Sequence, residues 1–208
     1  GAKLATLFLV AASLPVVAQV PSECGESFET CRAWSQPRLD AREFGDALKG
    51  FQAALGLAQK GSSLTDLAAA YRGVGLAYRG LNQSTLAQVS YERGLKAAEE
   101  AGSKPLIASI LRGLGMVHRN RGNVESAIGY DERSLRIFRE LGDPHEVGRA
   151  LNNLALNYQQ AGDFRRAGLL LEEALHGYTE WLDVQGAVLE NLGEIAVRQG
   201  NFAAARSY

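Results

Sequence analysis

The chain has 208 residues, 46% of them apolar and 22% charged, with a formal net charge of −1. These fractions belong to a folded soluble chain and exclude a disordered one; the near-neutral balance supplies no global field to draw the protein to nucleic acid or an anionic membrane. Five prolines against 23 glycines, with no long alternating runs of β-branched and aromatic residues, point to helices with glycine-marked turns and not to a sheet.

In chain order, the first stretch differs from the rest. Lys3 precedes an apolar run from Leu4 to Ala12, followed by Pro15 and the small-residue end Val16-Val17-Ala18. Positive charge, apolar stretch and small residues at the cut follow the order of a secretory signal peptide. Residues 1–18 are therefore expected to be removed after Ala18, leaving Gln19 as the new N-terminus. A membrane anchor or a buried first helix competes with this reading. The apolar run is short of the ~20 residues a spanning helix needs, and Pro15 disfavours one long helix.

Residues 19–41 follow as an N-terminal segment. Its two cysteines, Cys24 and Cys31, are the only ones in the chain. In an exported protein they either close a small disulfide loop or remain two thiols in a loose segment. No histidine or second cysteine pair lies nearby to make a metal site.

From Arg42 to Tyr208 the chain repeats itself. Ala47, Ala87, Ala127, Ala167 and Ala205 are spaced by 40, 40, 40 and 38 residues. Gly75, Gly115, Ala155 and Gly193 keep the same register, each preceded by an apolar residue (Val74, Leu114, Leu154, Leu192) and, three residues earlier again, by Tyr71, Leu111, Leu151 and Leu189. Asn82, Gly122, Gly162 and Gly200 mark the turns. Large residues such as Tyr71, Val74 and Tyr78 line one face of a first helix. The small residue between them lets a second helix approach, and the recurring alanine supplies the matching gap. Glycine or asparagine at the turn accepts the left-handed conformation that ends a helix. Asn123, Asp163 and Asn201, one residue on, are expected N-caps. Between units, Asp143-Pro144-His145-Glu146 combines a cap, a first-turn proline and an acid three residues on.

The segments Tyr71–Ala87, Leu111–Ala127, Leu151–Ala167 and Leu189–Ala205 carry a helix-turn-helix pattern that resembles the tetratricopeptide repeat family. The resemblance implies an all-α fold, a right-handed superhelical solenoid of antiparallel helix hairpins over residues 42–208. The usual period is ~34 residues; the longer form here is similar to arrays in bacterial regulatory proteins and kinesin light chains, and the extra length is expected in the second helices. Pro37 falls where the first helix of the first unit should continue, so residues before Arg42 are expected to hold a degenerate first-repeat helix that caps the array. The last unit reaches Tyr208 inside a second helix, so the solenoid is expected to be truncated at its C-terminus.

Residues that carry chemistry are sparse. There is no phosphate-cradling glycine loop, no His-Glu-x-x-His helix and no nucleophile elbow, so neither catalytic nor metal residues are expected, no cofactor is implied, and the chain reads as a non-enzyme. Glu99-Glu100 and Asp131-Glu132 read as solvated helix faces. His145 and His176 read as surface or first-turn residues, His118 as a packing residue in the place of Tyr78 and Tyr158, and Trp34 and Trp181 as packing at unit boundaries. Asp131 stands where Phe51, Tyr91 and Leu171 stand in the other units. Either it pairs with His118 or Arg112, or Tyr130 turns inward and Asp131 stays in water, because a lone buried charge is costly.

The groove face of the first helices carries Arg72, Arg79, Arg112 and Arg119, with Arg149 and Asn152 extending the row and Leu76, Met116 and Leu156 forming an apolar floor beside Gln159. Glu190 and Glu194 beside Arg198 reverse the sign in the last unit. A cationic channel with an apolar floor suits a protein or peptide segment that is acidic with a few apolar anchors; the other reading is arginines paired with neighbouring acids. An asparagine expected in chaperone-binding relatives is replaced by Leu76, Met116 and Leu156, so a free C-terminal tail is not the first choice of ligand.

The resemblance thus implies a protein–protein or peptide-binding scaffold. With the expected signal peptide, it reads as the exported sensory or assembly portion of a larger bacterial signalling protein, located in the periplasm. Membrane attachment would come only through a further C-terminal region. Two alternatives stand beside it: a structural organiser of an envelope complex, and the non-catalytic half of an enzyme with a separate effector domain.

Overall fold

The computed structural model describes residues 24–177, 180 and 182–208. The expected signal peptide with its cut after Ala18, and Trp181, lie outside the described residues.

The described residues form helices and no strands: α1 (Phe28–Asp40), α2 (Phe44–Lys60), α3 (Leu64–Gly80), α4 (Ser84–Glu100), α5 (Lys104–Asn120), α6 (Val124–Leu141), α7 (Pro144–Gln160), α8 (Phe164–Gly177), α9 (Leu182–Arg198) and α10 (Phe202–Ser207). They pair in order as hairpins, each packed on the next. Helices α3, α4, α5 and α7 are each 17 residues long and α6 is 18. The extra length of the 40-residue period is therefore shared by both helices of a unit, and not confined to the second as expected. An added turn on one helix alone would leave apolar surface without a facing partner.

One turn recurs within every hairpin. Arg42, Asn82, Gly122, Gly162 and Gly200 have φ of 63°, 58°, 78°, 80° and 73°. The next residue then donates its backbone N–H to a carbonyl five positions back: Glu43 to Arg38, Gln83 to Tyr78, Asn123 to His118, Asp163 to Tyr158 and Asn201 to Ala196, at 2.8–2.9 Å. This closes the carbonyls that a helix end leaves open. Asp163 and Asn201 also cap the following helix, accepting from the N–H groups of Arg166 at 2.9 Å and Ala204 at 3.1 Å. Asn123 makes no such side-chain bond, contrary to expectation. Asp143 caps α7 through the N–H of Glu146 at 3.1 Å, while the Glu146 side chain turns to Arg112.

The N-terminal unit is less degenerate than Pro37 implied, because α1 continues through the proline. Pro37 lies in the last turn, where only the bond to the Ala33 carbonyl is lost. Nearby carbonyls gain side-chain donors: Ser35 Oγ to Cys31 at 2.7 Å and Arg38 Nη1 to Trp34 at 2.8 Å. The Arg38 guanidinium sits 3.5 Å from the centroid of a Trp34 ring. Cys24 and Cys31 form a disulfide with a Cα–Cα distance of 4.5 Å, buried with Ala53 and Ala54 under Phe28, Trp34 and Leu57.

Ala47, Ala87, Ala127 and Ala167 are fully buried, as their role in close helix approach requires. The main apolar core falls into two bodies. One gathers Phe51, Tyr71, Val74, Tyr78, Tyr91 and Leu114; the other gathers Leu135, Phe138, Leu151, Leu171, Val188 and Ile195. Buried polar residues Asp131, Ser134 and Asn157 lie where the two meet. First helices pack on first helices (α1 with α3, α3 with α5, α5 with α7, α7 with α9), whereas the second helices α4, α6 and α8 meet through exposed ion pairs, Arg133 with Glu99 and Arg139 with Glu173. The first helices therefore line one side of the array. Among the described residues no helix is long and apolar enough to cross a membrane.

Candidate functional site: the face lined by the first helices

A concavity of about 930 Å³ opens on that side. Of the residues singled out from the sequence, Arg72, Leu76, Arg79, Arg112, Met116, Arg149 and Asn152 line it. Arg119, Leu156 and Gln159 are half-buried outside that lining. Gln159 Nε2 donates to the carbonyl of Asn191 at 3.3 Å, and Asn191 Nδ2 donates to Asn152 Oδ1 at 2.8 Å, so the far part of the row is occupied by contacts between α7 and α9.

The arginines differ in what they meet. Arg112 forms an ion pair with Glu146, and Arg149 Nη1 lies 3.7 Å from the same carboxylate. One acid thus serves two cations. No acid of the described residues lies within ion-pair distance of Arg72 or Arg79; Arg79 Nη1 points to Met116 Sδ, and the Nε atoms of both arginines are buried without a partner. Burial holds the Arg72 and Arg112 guanidiniums below their usual pKa, with Glu146 opposing that shift at both. The pairing of arginines with neighbouring acids therefore describes Arg112 and Arg149, and it does not describe Arg72 or Arg79. Arg198 is paired along its own helix with Glu194 at 2.7 Å.

Tyr91 reaches the underside of this face from α4. It is fully buried and slots between Gly75 and Gly113, where an added Cβ would come within 2.7 Å of its ring. Its hydroxyl has no hydrogen-bond partner. Burial pushes that hydroxyl up to about 12, against the nearby Arg79, Arg72 and Arg112.

Asp131 overturns both readings of it. It does not stay in water, being 1% exposed, and it pairs with neither His118 nor Arg112. Its Oδ2 accepts from Asn157 Nδ2 at 2.7 Å. Burial drives the carboxyl up to about 7, against Asn157, Arg119 and Arg112. Asn157, missed in the sequence, stands in the register of Ala77, Val117 and Ile195. Comparing all buried positions across the period, and not only the large ones, would have found it. Tyr130 instead packs its ring 5.1 Å from that of His118, and burial lowers the His118 pKa. Glu99, Glu100 and Glu132 are exposed as expected. His145 Nε2 faces Asp183 at 3.0 Å, and His176 Nδ1 lies 2.8 Å from the Glu172 carbonyl. Among the described residues no group of three His, Cys, Asp or Glu is placed to hold a metal ion.

The geometry of hairpins stacked with their first helices on one side defines a class, the tetratricopeptide-like repeat solenoids. Residues 106–180 match the tetratricopeptide repeat family, and the solved structures it resembles agree. The chain is similar to BtubC (BKLC) from P. vanneervenii, with a TM-score of 0.74 and 24% identity, over 86% of this chain and 75% of that one. It is similar to a Podosopora anserina putative kinesin light chain with nearly identical TPR-like repeats, with a TM-score of 0.70 and 16% identity, over 86% of this chain and 90% of that one. It is also similar to a Rap protein complexed with competence and sporulation factor, with a TM-score of 0.78 and 14% identity. That match covers 86% of this chain and 51% of the Rap protein, so the chain spans about half its length. At these identities the likeness is one of fold. No curated protein sequence matches the chain. A fold of this class is an interaction scaffold for protein or peptide partners, and its members are generally non-catalytic.

Proposed function

We propose that the chain is the exported sensory or assembly portion of a larger bacterial protein, and that its concave face holds a protein or peptide segment carrying acids and a few apolar anchors. The observation that carries this reading is that Arg72 and Arg79, on either side of Leu76 and facing Met116, have no ion-pair partner among the described residues, in a concavity whose arginines outnumber its acids Asp40, Glu146 and Asp183. Unpaired cations on a concave surface favour an anionic partner both in approach and in register. Export agrees with the sequence of residues 1–18 and with a buried disulfide, a bond typical of oxidising compartments. The Rap structure shows one relative in fold holding a competence and sporulation factor; a peptide-sized ligand here is our extension of that precedent.

Two experiments test the reading. Charge reversal of Arg72 and Arg79 together should abolish binding of a short polyglutamate peptide that carries leucines, and binding to wild type should weaken steeply with salt. Salt-insensitive binding, or an unchanged affinity in the doubly reversed protein, rejects the acidic partner. For location, fractionation and N-terminal sequencing of the protein made in a bacterial host should recover a periplasmic form starting at Gln19. An intact N-terminus in the cytoplasm rejects export.

A further inference from the structure

The two apolar bodies meet at a polar layer, and that layer is a paired substitution. Asp131 occupies the register of Phe51, Tyr91 and Leu171, and Asn157 that of Ala77, Val117 and Ile195. All of these counterparts are buried, as are Asp131 and Asn157 themselves. Two polar groups thus replace apolar ones at positions that face each other across α6 and α7, and each is the other's hydrogen-bond partner.

The layer extends to α5. Asn157 turns its amide N–H to Asp131, which leaves its Oδ1 facing Arg119; Arg119 Nη1 donates there at 3.4 Å and to the Asn153 carbonyl at 3.3 Å. The second carboxylate oxygen, Asp131 Oδ1, is buried without a partner and lies against Gly115, where an added Cβ would come within 2.3 Å of it. The charged and polar groups facing Asp131 are Arg119 and Arg112 from α5 and Asn157 from α7, with Glu146 beyond Arg112. Its neighbours on α6 turn elsewhere, Tyr130 to His118 and Glu132 to Tyr158. Of the row Arg72, Arg79, Arg112, Arg119 and Arg149, Arg119 is the one that does not line the concavity.

An ionised Asp131 fixes this arrangement in two ways. It demands the N–H side of the Asn157 amide, so the carbonyl side must face Arg119, and it attracts the guanidinium directly. A protonated Asp131 carries a donor of its own and no charge. It can serve the Asn157 carbonyl oxygen with that O–H, turning the amide over, and Arg119 then loses the Asn157 acceptor and its counter-charge, keeping only the Asn153 carbonyl.

We propose that Asp131 is a positioning residue for the concave face: its negative charge draws Arg119 across the α5–α7 seam through Asn157, and its protonation releases Arg119 to the groove. The effect on ligand binding rests on the groove reading given above. With the carboxyl raised to about 7 by burial, the release falls in the neutral range. Ligand carboxylates, with ordinary pKa values of about 4, stay ionised there. The groove gains a cation while its ligand keeps its charge, so affinity rises as the solution becomes mildly acidic.

The test uses the full chain as wild type, Asp131→Asn and Asp131→Leu. The Nε–H resonance of Arg119, assigned by its loss in Arg119→Lys, is followed by NMR from mildly acidic to mildly alkaline solution, with Arg72 as the internal reference. In wild type it should shift with a midpoint near neutrality, and in both variants that titration should vanish. In parallel, a short polyglutamate peptide should bind wild type several-fold more tightly at the acidic end, with the ratio falling to about one in Asp131→Asn. If Asp131→Asn does not fold, Asp131→Leu, which copies Leu171 of the next unit, carries the same comparison. A flat Arg119 signal in wild type, or the same titration persisting in the variants, overturns the proposal. Peptide that binds wild type and variant with the same pH ratio also overturns it. An Arg119 titration that depends on Asp131, with no peptide bound at any pH, upholds the coupling and rejects the groove reading instead.

Discussion

The second and third units place different chemistry in the same slot. Tyr91 fills its slot with a ring held between Gly75 and Gly113, and only its hydroxyl is unpartnered. Asp131 fills the next slot with a smaller, titratable group, and Asn157 supplies the partner that a ring does not need. The contrast extends to the surface above. The face over Tyr91 presents Arg72 and Arg79 outside any ion pair, while the face over Asp131 has Arg112 and Arg149 sharing Glu146 and Arg119 drawn towards α7. A repeat fold fixes where side chains stand. It leaves open whether a buried position is spent on packing or on setting the charge of the surface above it.

Breaking the packed slot should give the largest effect. Tyr91→Ala removes a fully buried ring and should cost about 3–5 kcal/mol in urea denaturation. Tyr91→Phe removes only a hydroxyl that has no partner, so its cost should stay below about 1 kcal/mol. A large loss in Tyr91→Phe would mean that the hydroxyl is bonded in solution, and that the two slots are more alike than described.

The polar slot should respond differently. Asn157→Val deprives a buried carboxylate of its one hydrogen-bond partner and should cost about 3 kcal/mol in alkaline solution. The double variant Asp131→Leu/Asn157→Val, which copies the apolar units, should recover most of that loss, with a coupling of about 1–3 kcal/mol. The pH dependence has a definite sign. Asp131 is raised from 3.8 to about 7 in the folded protein, so between those values the folded state holds a proton that the unfolded chain has lost. Its contribution to stability is therefore greatest below 3.8, falls as pH rises through that window, and levels off above it. Asp131→Leu should lack this part of the slope. Equal slopes in wild type and variant would show that the carboxyl is not perturbed.

The same contrast shows what the sequence made legible. The 40-residue register of alanine, glycine and apolar positions located the hairpins and the concave row, because close helix packing admits few residue types at those places. Asp131 stood out as an exception to that register, but its burial did not. That outcome depends on Asn157, 26 positions away, and a lone acid in an apolar slot is rightly expected to seek water. The helical course through Pro37 was hidden for a different reason, since the proline falls in the last turn, where only one backbone bond is lost. Which arginines are neutralised was also not readable, because Glu146 belongs to a helix cap by local pattern and to Arg112 by tertiary packing.

At the surface, the two halves should separate by charge. Arg72→Glu puts an acid in place of a cation that no ion pair holds, and should weaken polyglutamate binding by about tenfold or more at low salt. Arg149→Glu acts on an arginine that already shares Glu146 and is about half exposed, so its effect should be several-fold smaller. Equal losses, measured by calorimetry at two salt concentrations, would mean that the ligand spans both halves evenly.

The smallest expected effect separates the first unit from the rest. Its turn repeats the others, with the Glu43 N–H bonded to the Arg38 carbonyl at 2.8 Å, but the residue at positive φ is Arg42 where three later units have glycine. A side chain with a Cβ loses about 1–2 kcal/mol in that conformation. Glycine removes this cost but frees the unfolded chain, which returns about 0.5–1 kcal/mol. Arg42→Gly should therefore stabilise the protein by up to about 1 kcal/mol, a rise of about 2–4 °C in Tm per kcal/mol for a chain of this size. Asn82→Gly should do less, because asparagine already tolerates the same conformation. Arg42 also borders the concavity, so the more stable variant should bind polyglutamate slightly less well. A variant that is less stable than wild type would show that the Arg42 side chain makes a contribution in the first turn larger than its backbone strain.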